Sequence, residues 1–246
     1  MRQAGRMATN SEKDPIAFVC AMPIELSPLV RMLSLTETEM NGTKMHAGTL
    51  DGRTVVAIVT GMGTQLATEA TTRLLDAVTP RWVLVVGITG ALESETPMGT
   101  LVLPEVVVDS ETGSEHRPTP LGEGVPHGTM WTTNGLTTDP DDLARLRARG
   151  VVSLDMETAA IAELCETRGI PWSVFRVISD RANDGTVDEE VFHLSNQDGT
   201  PNPAAIEKYM ADHPERLPLM AQMAENAKLA TRSAAEAAVR ACAHLA

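Results

Sequence analysis

Basic residues are scarce in this 246-residue chain: 20 Lys and Arg stand against 33 Asp and Glu, a formal net charge of −13. A nucleic-acid groove needs a basic footprint, and an anionic membrane needs cations to attract, so neither partner is expected. Acidity of this kind serves solubility first. Cysteine is scarcer still, with Cys20, Cys165 and Cys242 far apart in apolar stretches and no Cys-x-x-Cys. That argues against a disulfide framework and a zinc site, and fits buried thiols in a reducing compartment. The six histidines have no metal-ligand spacing. No metal and no cofactor are expected. Long apolar runs are missing too: none approaches the roughly 20 residues that span a bilayer. The opening "MRQAGRMATNSEKD" has arginines but no apolar stretch before Pro15, unlike a secretory signal. We expect a cytoplasmic chain with a disordered tail over residues 1–14 and one domain over residues 15–246.

What is present is a recurrence of short β-branched runs with helical patterns between them. "IAFVCAM" (16–22), "TVVAIVT" (54–60), "WVLVVGI" (82–88), "TLVLPEVVV" (100–108) and "WSVFRVIS" (172–179) read as strands. Several are apolar on both faces, as buried strands of a parallel sheet are. "QLATEATTRLLDAV" (65–78) has helical spacing and stops before Pro80, and "METAAIAELCETRG" (156–169) ends at a glycine stop. The Ala-rich C-terminal segment reads as a long helix whose stripe of Met223, Ala227, Ala230, Ala234 and Ala241 packs on the sheet. The alternation predicts a single-domain α/β fold with a central mixed, mostly parallel sheet flanked by helices. Residues 110–129 and 183–203 are Gly- and Pro-rich and too short for domain linkers; long irregular segments of this kind commonly wall an active site.

In open α/β sheets ligands lie beyond the carboxyl ends of the strands. Glu25 follows the first run, Gly61 and Gly63 the second, Gly87 and Gly90 close the third, and Asp180 follows the last. Glu157 follows the brief apolar segment "VVSL". Each has a plainer reading. A Gly-x-Gly is often only a turn, and a carboxylate after a strand often only caps a helix, where the dipole gains it roughly 0.3–1 kcal/mol. Together at one sheet edge they point to a ligand.

"CAMPIEL", "TGMGT", "VVGITGAL", "LDMETAAIA" and "VFRVISDRAND", in this order, resemble the motifs of the nucleoside phosphorylase and nucleosidase superfamily, in particular the methylthioadenosine/S-adenosylhomocysteine nucleosidases. The likeness runs from Ile16 to about Asp184, and "LDMETAAIA" is its most specific part. It implies cleavage of a purine N-ribosidic bond. Asp180 would protonate the base at N7, Ser179 would position it, and Glu25 would hold and activate water. Glu157 would accept the ribose 2′- and 3′-hydroxyls, with Met156 against the sugar. Gly63, Gly87, Thr89 and Leu136 would complete the substrate-binding set, with residues 134–136 as a base wall and Phe192 a contact on the 5′ side. The resemblance also implies a homo-oligomer, dimer or hexamer.

Phosphorylases of the superfamily bring an arginine near the start of the Gly-Ser-x-Gly segment; Val85 and its neighbours offer none here, and Glu25 stands in the opening segment. A dianion is poorly held there, so water is the expected acceptor. Ile88 departs from the family by standing where the nucleosidases carry a serine that helps hold the water. Thr89 or Thr60 would have to supply that hydroxyl.

Overall fold

One sheet organises the computed structural model, which describes residues 14–182 and 184–245. Its strands are β1 (Ile16–Cys20), β2 (Thr36–Met40), β3 (Thr43–Leu50), β4 (Arg53–Val59), β5 (Trp82–Ala91), β6 (Leu101–Val102), β7 (Val106–Asp109), β8 (Glu115–His116), β9 (Thr129–Thr132), β10 (Val151–Asp155) and β11 (Trp172–Arg181). The helices are α1 (Pro23–Leu33), α2 (Thr64–Ala77), α3 (Pro140–Ala148), α4 (Thr158–Thr167), α5 (Glu189–Phe192), α6 (Pro203–Asp212) and α7 (Leu217–Ala241). Strand order is β2-β3-β4-β1-β5-β10-β9-β7-β8, with β11 along β5 and β6 on β11.

The centre is parallel: β1 lies between β4 and β5, and β5 pairs with β11 in the same direction. Antiparallel pairs occur at β2–β3, β3–β4, β5–β10, β6–β11 and β7–β8. Apolar side chains from successive strand residues leave on opposite sides, so the sheet needs a helical layer on each face. Val83, Val85, Val174 and Ile178 pack with α2 and α4. Phe18, Leu84, Phe175 and Val177 pack with α1 and the alanine face of α7. The α/β fold expected from sequence is the one observed.

The position of the site follows from a gap in this sheet. β1 pairs with β5 only from Trp82 to Val85, and β10 pairs with it only at Gly90 and Ala91. Between these partners the flank of β5 at residues 86–89 has no neighbouring strand among the described residues.

Several expectations need correction. Residues 100–108 form two short strands rather than one; Pro104, which has no N–H to give a ladder, separates them. The polar β2–β3 hairpin was not expected. Helix α4 starts at Thr158 and not at Met156, leaving Glu157 as the last residue before it. Residues 183–203 contain a helical turn, α5, and residues 110–129 the two-residue β8. On α7, Ala230, Ala234 and Ala241 pack on the sheet as expected, but Met223 and Ala227 face a cavity. The tail expected over residues 1–14 lies, except for Asp14, outside the described residues. No helix among those described is long and apolar enough to cross a membrane.

Candidate active site

The unpaired flank of β5 is filled by an acid. Glu25, in the first turn of α1 and fully buried, accepts hydrogen bonds from Ile88 N (2.8 Å), Ala21 N (2.7 Å) and Met22 N (2.9 Å). Two of these bonds are the plain helix-start role; the third, across the gap, is not. Burial pushes its pKa up, against the opposing pull of the neighbouring Arg176 and the three N–H donors. Gly87 lies directly beneath. A Cβ there would stand 2.1 Å from Glu25 Oε1 and 2.6 Å from Arg176 Nη1, so only glycine lets the carboxylate reach the strand.

Arg176 is the centre of the cluster. It interrupts the apolar strand β11, and its side chain is 2 % exposed. Nη1 donates to Ile88 O (3.0 Å) and, at 3.4 Å, to Glu25 Oε1. Nη2 donates to Asp155 Oδ2 (2.8 Å) and Glu157 Oε2 (3.1 Å), while Nε is buried without a partner. Burial alone would lower its pKa, but Asp155, Glu25 and Glu157 together raise it further above its already high ordinary value. Three carboxylates about one guanidinium make a cluster that is net negative. Such a cluster adds little net stability, because desolvation offsets attraction; removing one partner, however, typically costs about 3–5 kcal/mol.

The roles of Asp155 and Glu157 separate here. Asp155 does the capping of α4: its Oδ2 accepts from Thr158 N (2.9 Å) and Glu157 N (3.3 Å), and Oδ1 accepts from Thr132 Oγ1 (2.6 Å). Glu157 makes no side-chain cap bond to its own helix. Its Oε1 instead accepts from Gly63 N (2.9 Å), where a backbone φ of 95° favours glycine. Burial raises the Glu157 pKa to about 7, Arg176 opposing and Asp155 reinforcing the shift.

Asp180 closes the other side. A register shift between Ile178 and Asp180 in the β11–β5 pairing marks a bulge at Ser179, so two consecutive residues face the same cavity. Ser179 Oγ donates to Asp180 Oδ1 (2.6 Å), the one hydrogen bond recorded for this carboxyl group among the described residues. Among the described residues no backbone N–H of the following turn donates to it. Burial raises the Asp180 pKa; the Ser179 bond opposes this and Asp184 adds to it.

These groups open on one cavity of about 290 Å³, at the lower end of the roughly 300–1,000 Å³ of small-molecule sites. Of the residues expected from sequence, Glu25, Thr89, Leu136, Met156, Glu157, Ser179, Asp180 and Phe192 line it. Gly63 and Gly87 do not; they stand behind Glu157 and Glu25 as their supports. Asn134 is exposed and bonded to Thr64 and Glu111, so of the expected base wall Leu136 is the part that reaches the cavity. Thr89 Oγ1 donates to Leu154 O (2.7 Å) and Thr60 Oγ1 to Gly61 O (2.7 Å), so neither hydroxyl proton is free for a water beside Ile88. Arg176 and Asp155 carry no role in the expectations from sequence. A lone arginine within an otherwise apolar strand was the signal for the first, since a buried charge requires partners.

The chain belongs to the phosphorylase superfamily, whose family model matches residues 15–126 and 119–210. It is 30 % identical over 198 residues to a 5′-methylthioadenosine/S-adenosylhomocysteine nucleosidase of Chromohalobacter salexigens, covering 68 % of this chain and 84 % of that one. The corresponding nucleosidase of Neisseria meningitidis, solved with methylthio-immucillin-A, has a TM-score of 0.70 at 18 % identity, covering 94 % and 99 % of the two chains. Futalosine hydrolase of Helicobacter pylori gives 0.70 at 15 % identity, with 94 % and 97 % covered. At these identities the two structures show the fold alone. The enzyme class expected from sequence, an N-glycosyl hydrolase, is the class of these relatives.

Proposed function

We propose that the chain hydrolyses the N-ribosidic bond of a purine nucleoside, of the methylthioadenosine/S-adenosylhomocysteine type that its relatives' names carry. One observation carries this reading: Glu25, Glu157 and Asp180 line a single cavity whose buried cation, Arg176, is engaged by carboxylates. Cleavage builds positive charge on the ribose and negative charge on the departing base. Asp180 donates a proton to the base at N7; burial raises its pKa and so favours the protonated form, and Ser179 fixes its orientation. Glu25 acts as the carboxylate: three N–H groups and Arg176 address its two oxygens and favour the charged form against the burial that raises its pKa. All its in-plane acceptor positions are then occupied, so taking up water requires loosening one bond. The 3.4 Å contact to Arg176 is the weakest of them. Its raised pKa makes it the better base once water is bound. Glu157 accepts the ribose hydroxyls at the positions left beside the Gly63 N–H on Oε1 and the Arg176 Nη2 on Oε2.

Water is favoured over phosphate on electrostatic grounds. The cavity does contain an arginine, Arg176, but three carboxylates neutralise it. A dianion entering beside them meets net repulsion. The test is a panel of purine nucleosides assayed with and without phosphate, with products identified. Free base and free sugar without phosphate are expected. A strict need for phosphate with ribose 1-phosphate formed would replace the hydrolase by a phosphorylase, and tight binding without turnover would replace it by a binding protein.

A further inference from the structure

Residues 185–195 form one wall of the cavity, through Val187, Val191, Phe192 and Ser195. This stretch has almost no place in the sheet, so its position is fixed by other means. At its far end the chain is fastened by backbone: Met62 N donates to Gln197 O (2.8 Å), and Gly199 packs so closely on Met22 that a Cβ there would stand 2.6 Å from Met22 Cγ. In the middle, Val191 and Leu194 bury against Tyr209 in a small separate core. At its near end Val187 packs on the same small core and His213 Nε2 lies 3.1 Å from Glu190 Oε2, but the side chain that reaches the most groups there is Arg216. Arg216 Nη1 donates to Asp188 Oδ2 (2.7 Å) and to Tyr209 Oη (2.7 Å), Nη2 donates to Gly185 O (3.1 Å), and the guanidinium lies 5.9 Å from the Tyr209 ring centroid.

Each part of this arrangement has a reason. Asp188 caps α5 by accepting from Val191 N (2.9 Å). The same carboxylate takes the Arg216 charge, so the arginine holds the helical turn that carries Val191 and Phe192. Gly185 O is the start of the wall, and Tyr209 belongs to α6. One fork therefore joins the wall's entrance, its helical turn and the helix packed behind it. A lone exposed ion pair contributes little, typically about 0–1 kcal/mol. A fork with three acceptors and a ring is a different case, because it fixes direction as well as distance.

We propose that Arg216 is a positioning residue for substrate: it touches no reacting atom, but it holds residues 185–195 so that Val187, Val191 and Phe192 close on the bound nucleoside. This rests on the nucleosidase reading above. The wall contributes contact area and excludes water, whereas Glu25, Glu157 and Asp180 stand on other elements and keep their geometry without it. Arg216 thus governs how well substrate is held, and leaves the chemical step to the cluster.

The test compares Arg216→Ala, Arg216→Lys and Tyr209→Phe with the parent protein, reading KM and kcat for base release and the rate of proteolytic cutting within residues 185–195. Arg216→Ala is expected to raise KM about tenfold with kcat within about twofold, and to speed cutting. Arg216→Lys keeps the charge but not the fork and falls between, and Tyr209→Phe gives a smaller rise in KM. An unchanged KM in Arg216→Ala, or an equal loss in kcat alone, overturns the proposal while the nucleosidase reading stands. If the parent releases no base from any nucleoside, that reading fails, and the fastening is judged by proteolysis: equal cutting of parent and Arg216→Ala overturns it.

Discussion

Gly87 offers the sharpest check on the site, because one methyl group there acts on the proposed catalytic carboxylate from outside the cavity lining. Its φ is outside the left-handed region, so alanine is free of backbone strain at this position. The effect of Gly87→Ala is therefore steric. The new Cβ would meet Glu25 Oε1 at 2.1 Å and Cδ at 2.6 Å, where ordinary contact begins at 3.4 Å. Glu25 must then retreat by roughly 1 Å, and a displacement of that size at a reacting group costs on the order of 100-fold in rate. It also stretches the Ile88 N bond, now 2.8 Å, and crowds Arg176 Nη1. Overpacking of this kind costs about 1–3 kcal/mol, and at roughly 2–4 °C per kcal/mol for a chain of this size the melting temperature falls by about 2–12 °C. The assay is steady-state base release at a temperature where circular dichroism shows the variant folded. A folded Gly87→Ala with kcat within about threefold of the parent would refute the placement of Glu25 at the reacting centre.

The remaining predictions concern the charges. Asp180→Asn is expected to lower kcat by about 10²–10⁴ while leaving the melting temperature within a few degrees; near-parent turnover removes it as the acid. In its proposed role Glu157, raised to about 7, accepts ribose hydroxyls more strongly as a carboxylate, so KM should rise as pH falls below about 7. The linkage sign is the reverse of the usual carboxylate case. The folded state binds this proton more tightly than the unfolded chain, so the contribution of Glu157 to stability declines as pH rises from about 4.5 through 7. Denaturant unfolding of the parent and Glu157→Gln at pH 5 and pH 8 checks this, and Gln should flatten the difference. Arg176→Leu leaves three buried acids without their cation and is expected to cost about 3–5 kcal/mol in denaturant unfolding.

The main strands were legible because burial on both faces leaves a simple mark, a run of β-branched residues. β1, β4, β5 and β11 begin within a residue of the expected runs. The β2–β3 hairpin was not legible: "TETEM" and "TKMHAGTL" carry few buried side chains, so the apolar alternation that announces a strand is faint. At the site, Glu25, Glu157 and Asp180 were found through their order along the chain. The division of labour between Asp155 and Glu157 was not, because two acids separated by one residue look alike until the N–H groups they accept are known. The gap along β5 was equally invisible, since it depends on how far β1 and β10 extend beside it.

The cluster around Arg176 also makes the chemistry depend on distant parts of the chain. Its members come from the start of α1, the middle of β5, the entry to α4 and the interior of β11, and the Arg176–Glu25 contact spans 151 residues. Contacts so far apart carry the entropy of closing the intervening chain. Without β11 along β5 the acids have no guanidinium to balance them. The raised pKa values on which the proposed chemistry depends belong to the finished fold, and no shorter piece of the chain possesses them.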